Sequence, residues 1–107
     1  MNSLSSHVLD TTSGKPASGM KITLTTPDGH TIEAETNNDG RCNEWQNQVF
    51  TAGTYQLRFH TKAYLTAHHG SAFYPFVDVH FDIEEQGGHY HVPLLISPFG
   101  YSSYRGS

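Results

Sequence analysis

The sequence predicts an all-β sandwich or barrel with one short helix. Three observations predict it. Apolar residues recur at period two in several runs, turn signals separate those runs at short intervals, and a single segment breaks the alternation.

The elements follow in chain order. In SSHVLD, His7 shares a strand face with Leu9, opposite Val8. In GMKITLTT, Met20, Ile22 and Leu24 alternate with Lys21, Thr23 and Thr25. In TYQLRFHT, Tyr55, Leu57 and Phe59 point one way, and Gln56, Arg58 and His60 the other. The segment TKAYLTAHH, residues 61–69, holds helix-compatible residues and is followed by Gly70, a natural residue just past a helix end. In FVDVHFDI, Val77, Val79, Phe81 and Ile83 alternate with Asp78, His80 and Asp82. In HYHVPLLI, Tyr90, Val92, Leu94 and Ile96 form an apolar face, and His89, His91, Pro93 and Leu95 form the other. Between the runs stand Thr12-Ser13-Gly14, Pro27-Asp28-Gly29, Asp39-Gly40, Ala52-Gly53 and Gly87-Gly88. No repeat or linker divides the chain, so residues 1–107 are expected to form one domain.

The second face of HYHVPLLI is unusual. A solvated strand face is normally polar, yet here Pro93 and Leu95 accompany two histidines. The chain offers no spare element to cover that face. A second copy of the protein could cover it, which points to an oligomer with a histidine-lined surface between subunits.

Composition excludes several function classes. Only six Lys or Arg stand against ten Asp or Glu, for a formal charge of −4. With no basic cluster, a phosphate backbone finds little to hold, and no nucleic-acid partner is expected. No apolar run approaches the ~18 residues a membrane helix needs. The first residues lack the charged start and apolar run of a secretory signal. Cys42 is the single cysteine, so no intrachain disulfide is possible. Both features predict a cytoplasmic protein.

Eight histidines in 107 residues raise the question of a metal. His89-x-His91 and His68-His69 are the closest pairs, but carboxylates do not gather beside them and no cysteine pair supports a zinc site. No metal or cofactor is expected. His30, His60, His68, His69 and His80 read as surface residues. His7 and His91 differ because they lie on apolar-flanked strands; they are either structural or proton-transfer groups. Arg41 follows a tight Asn38-Asp39-Gly40 turn, and Cys42 reads as a buried structural thiol. Phe99, Tyr101 and Tyr104 could simply complete the core. No nucleophile elbow, phosphate loop or paired-carboxylate motif is present. The residues alone lead to a β-protein oligomer with histidines at an interface.

Four stretches carry a more specific signal: SSHVLDTTSGKPASGM, NDGRC, FYPFV and the closing HYHVPLLISPFGYSSYRGS. Together they resemble the transthyretin-related family, and the Tyr-Arg-Gly-Ser signature resembles its purine-catabolic hydrolase branch rather than its hormone carriers. The resemblance spans Leu4 to Ser107. It implies a β-sandwich of two four-stranded sheets with one short helix, assembled as a dimer of dimers, with active sites in the channel where dimers meet. It implies hydrolysis of 5-hydroxyisourate at an acyl carbon–nitrogen bond without a metal. Residue by residue, it implies catalytic roles for His7, Arg41 and His91, and substrate contacts from Tyr104, Arg105, Gly106 and Ser107. The two histidines would share the proton work, for which an ordinary pKa of about 6.5 is suited. Arg41 would hold a purine carbonyl or ring anion through its fork of donors. Ser103, Leu65 and Met20 depart from the usual residues and touch no catalytic role. The alternative is a carrier of a small aromatic ligand in the same channel.

Overall fold

A computed structural model describes residues 1–107, and the alternating runs appear in it as two packed sheets. The strands are β1 (Ser3–Asp10), β2 (Lys15–Pro16), β3 (Lys21–Thr25), β4 (Thr31–Glu35), β5 (Arg41–Cys42) and β6 (Gly53–Phe59); helix α1 (Thr61–His69) follows, then β7 (Val77–Ile83), β8 (His89–Ser97) and β9 (Gly100–Ser103). One sheet runs β2-β1-β8-β9, with β5 also pairing to β1; the other runs β4-β3-β6-β7. The expected four-plus-four sandwich thus has a fifth, two-residue strand in its first sheet. Both two-residue strands pair with β1, β2 opposite Leu9 and Asp10 and β5 opposite Ser6 and His7.

The core lies between the sheets and is made of the residues that the alternation selects. Val8, Ile22, Leu24, Tyr55, Leu57, Phe59, Leu94 and Ile96 are all essentially sealed from solvent. Trp45 closes one end, its indole N–H donating to Leu4 O at 2.8 Å. β7 is less covered: Val77 and Ile83 are buried, but Val79 and Phe81 are half-exposed. They sit at a sheet edge, beside a hollow of about 380 Å³.

The single helix has the expected bounds, 61–69. Thr61 and Leu65 are its buried residues, and Gly70 N–H reaches back to Thr66 O at 3.0 Å. His69, expected at the free surface, instead anchors this helix. Its Nε2 lies 2.6 Å from Oδ2 of Asp10, which is wholly buried at the end of β1. Tyr64 donates to the same oxygen at 3.0 Å, and the Thr12 and Ser13 amides donate to Oδ1. Burial pushes the Asp10 carboxyl upward, but the hydrogen bonds from His69, Ser13, Tyr64 and Thr12 outweigh it and hold the group below its ordinary value. Burial and Asp10 together push the Tyr64 phenol up to about 12. His60 is also held, against Thr23 Oγ1 at 2.8 Å, whereas His30, His68 and His80 are exposed.

The pairing that positions the site is β1 with β8. It is parallel, unlike every other pair in the molecule. It sets Ser3 opposite His89, Ser5 opposite His91 and His7 opposite Pro93. No helix is long and apolar enough to cross a membrane.

Candidate active site

His7 and Arg41 are direct register partners across β1 and β5, so both side chains leave the same face of the first sheet. His91 leaves that face from β8, one strand over and two residues along from His7. With strands ~4.8 Å apart and a rise of ~3.3 Å per residue, that offset is about 8 Å between backbones. Three residues far apart in sequence thereby face one patch.

Arg41 is aimed by its turn. Asn37 Oδ1 accepts from the amides of Asp39 and Arg41 at 2.9 and 3.0 Å, an Asx turn that bends the chain back. Gly40 lies at φ +73°, and a Cβ there would stand 2.5 Å from Val8 O, so only glycine permits the approach of the turn to β1. The Arg41 guanidinium makes no ion pair and no side-chain hydrogen bond; the two ion pairs of the molecule are Arg58–Asp78 and His69–Asp10. A guanidinium in no ion pair, although Glu33, Glu35 and Glu44 line the same hollow, is available to an anion or a polarised carbonyl.

His91 is half-buried. Its pKa is held below the usual histidine value, first by burial and then by the positive fields of Arg41, His7 and His89. It is therefore a neutral imidazole at neutral pH, able to accept a proton. Its Nδ1 lies 2.7 Å from Ser5 Oγ. Cys42, next to Arg41, faces inward, and burial raises its thiol pKa, as a structural cysteine requires.

The tail completes the patch. β9 runs antiparallel to β8, with Ser103 Oγ donating to Pro93 O at 2.8 Å. The same register continues beyond β9, where Gly106 bridges His91 and donates its N–H to His91 O at 2.8 Å. A Cβ on Gly106 would overlap His91 Cδ2 and stand 3.1 Å from Cγ, so this glycine is the floor against which the imidazole rests. The alternation puts Tyr104 on the His91 face and Arg105 on the opposite one. Accordingly, the Arg105 guanidinium stacks 4.5 Å over the Tyr90 ring, at the hollow beside β7. Of the expected tail contacts, Tyr104 and Gly106 lie with the histidines and the arginine side chain does not. Phe99, Tyr101 and Tyr104 are 69, 48 and 60% exposed, so they do not complete the core.

The tail also corrects the idea that the chain has nothing to cover its histidine face. Pro93 is buried in the single chain, flanked by His7 on one side and by the continuing tail on the other. Cover is partial: the hollow beside Arg41 and the hollow beside His91 are separate, and neither is lined by all three of His7, Arg41 and His91. No three His, Cys, Asp or Glu side chains converge as a ligand set for a metal. Of the patch residues, Ser5 was not singled out by sequence reasoning, and His89 was weighed only as a metal ligand beside His91. Period two put Ser5 on the His7 face, but only the parallel pairing puts it against His91.

The molecule is a two-sheet β-sandwich of the transthyretin-like class, with His7, Arg41 and His91 on the outer face of one sheet. Residues 4–106 match the HIUase/Transthyretin family, and the chain belongs to that family. It is 42% identical to a 5-hydroxyisourate hydrolase of Deinococcus radiodurans over 97% of this chain and 95% of that one. Among solved structures, the 5-hydroxyisourate hydrolase of Klebsiella pneumoniae matches at a TM-score of 0.86 and 36% identity, covering 98% of this chain and 99% of that one. Transthyretin of Sparus aurata has the same TM-score, 0.86, at 32% identity, covering 96% and 95%.

Proposed function

We propose that the chain is an enzyme that hydrolyses 5-hydroxyisourate to the ureidoimidazoline carboxylate in purine catabolism. The observation that carries this reading is the meeting of His7, Arg41 and His91 on one sheet face, with Gly106 of the tail against His91. Ring opening needs three things: an activated water, a partner for the charge that develops on the carbonyl oxygen, and a proton for the leaving nitrogen. His91, kept neutral by its surroundings, removes a proton from water through Nε2. Arg41, held in no ion pair, stabilises the oxyanion. His7, Arg41's register partner, orients the water or the substrate ring. Tyr104 and the final residues to Ser107 wall the patch, and Arg105 frames the neighbouring hollow. No cofactor enters the scheme.

An open patch does not exclude water or enclose a planar purine. A second subunit facing this surface supplies the missing wall, so the working form is a homotetramer, a dimer of dimers, with the site between dimers. The exposed tail aromatics suit such an assembly. We place the reaction in the cytoplasm, consistent with one free, buried thiol.

The direct test follows the ultraviolet absorbance of freshly generated 5-hydroxyisourate with and without the protein. Accelerated decay, lost in Arg41→Ala and His91→Gln, is the expected result. Binding of the substrate with no acceleration would instead identify a carrier.

A further inference from the structure

We propose that Ser5 and His89 form a proton relay that connects His91 to solvent, with Ser5 positioning both imidazoles. The proposal rests on the reading of His91 as the group that takes the proton from water. The geometry is a continuous chain along the β1–β8 ladder. Ser5 Oγ lies 2.7 Å from His91 Nδ1 and 2.9 Å from His89 Nε2. Ser3 Oγ lies 2.6 Å from His89 Nδ1, the far nitrogen of the same ring. His91 is half-buried; His89 and Ser3 are exposed. The chain thus runs from the patch to bulk water.

Donor counting gives it two polarities. A serine hydroxyl holds one proton, so Ser5 donates to one imidazole and accepts from the other. In the first polarity His91 donates from Nδ1 to Ser5, Ser5 donates to His89 Nε2, and His89 donates from Nδ1 to Ser3. His91 Nε2 is then bare and able to act as a base. In the second polarity every bond is reversed and His91 Nε2 carries a proton.

The two states are connected by one balanced transfer. Water gives a proton to His91 Nε2; the Nδ1 proton passes to Ser5, the Ser5 proton to His89 Nε2, and the His89 Nδ1 proton to Ser3 and solvent. Hydroxide equivalent remains at the patch and one proton has left it. His91 Nε2–H then protonates the leaving nitrogen while the relay runs backward and returns a proton. The charged and titratable groups whose fields act on His91 are Arg41 on β5, His7 on β1 and His89 on β8; His80 and Asp82 of β7 and Tyr104 and Arg105 of the tail line the hollow beside it. An imidazolium held at His91 would meet the repulsion of Arg41 and His7. The relay delivers the charge to an exposed site, where water screens it.

The test measures kcat and KM for hydroxyisourate at low buffer concentration in wild type, Ser5→Ala, Ser5→Thr, His89→Ala and His91→Gln, with melting temperature as the folding control. Ser5→Ala and His89→Ala should each lose roughly tenfold in kcat, a part of the ~10²–10⁴ that positioned acid–base groups contribute. KM should stay within about twofold, since neither group meets substrate. Added imidazole should restore His89→Ala but not Ser5→Ala, and Ser5→Thr, which keeps the hydroxyl, should recover rate over Ser5→Ala. Wild-type kcat in Ser5→Ala and His89→Ala beside an inactive His91→Gln would overturn the relay and leave His91 as the base. A His89→Ala loss that imidazole does not restore would overturn it too. Full activity in His91→Gln would overturn the underlying reading instead.

Discussion

Gly106→Ala is the most direct probe of the tail. The new methyl would overlap His91 Cδ2, and two relaxations are open. The imidazole can be forced aside, losing its 2.7 Å contact with Ser5, at an overpacking cost of about 1–3 kcal/mol. Alternatively the tail can lift, giving up the 2.8 Å bond from Gly106 N–H to His91 O. That bond contributes about 0.5–1.5 kcal/mol, and the freed groups can be solvated because Gly106 is half-exposed. The second route is cheaper, so the tail lifts. At ~1 kcal/mol, the melting temperature of a chain this size should fall by only about 4–8 °C. Activity should fall far more, by about 10²-fold in kcat/KM, because the lifted tail carries Tyr104 and Ser107 out of the pocket wall, and a misplacement of ~1 Å at a substrate-positioning element has that effect. Gly100→Ala is the matched control: its methyl would meet only Ser97 Oγ, at 3.7 Å. The assay is decay of hydroxyisourate absorbance alongside a thermal melt. Gly106→Ala with kcat/KM within about twofold of wild type would refute the packing of the tail on His91 as a feature of the working site.

Four further outcomes follow from the same geometry. Arg41→Lys keeps the charge but loses the fork of donors, and kcat/KM should drop by about 10²-fold, near the 2.7–4 kcal/mol of a single oxyanion donor; near-normal turnover would show that a point charge suffices. Because His91 is held below its ordinary value, NMR titration should place its proton uptake below about 6.5, and Arg41→Gln should move it upward; a fall would contradict the assigned field. The corresponding stability effect has a definite sign: the unfolded chain binds this proton more readily, so stability is lost as pH falls from the ordinary value to the folded one, and is level below both. Asp10→Ala strands the His69, Tyr64, Thr12 and Ser13 partners and should reduce unfolding free energy in urea by about 3 kcal/mol at pH 7, whereas a loss under ~1 kcal/mol would mean that the packing of Thr61 and Leu65 suffices to hold α1. The Asp10 contribution is present above its ordinary pKa and disappears as pH falls through the lower folded value. A polypeptide fused after Ser107 should depress turnover while leaving the melting temperature in place, and an unaffected fusion would remove the tail from the pocket wall.

What the sequence by itself determined is what period and turn chemistry can encode. Tyr55, Leu57 and Phe59 alternate because successive strand residues face opposite ways, and they are buried as that alternation requires. The helix at 61–69 and the turn that aims Arg41 are likewise local, and both were legible. The family motifs named His7, Arg41 and His91, but no local pattern says that they meet. That depends on β1 pairing with β8 in parallel across more than eighty residues, and a strand's alternation is the same whichever partner or direction it takes. The tertiary structure alone therefore decided which serine touches His91 and which second histidine shares that serine, that Arg105 stacks on Tyr90, and that His69 anchors a helix to Asp10. Each is a contact between segments with no shared period, brought together by the burial of faces that the sequence marks as apolar without naming their partners.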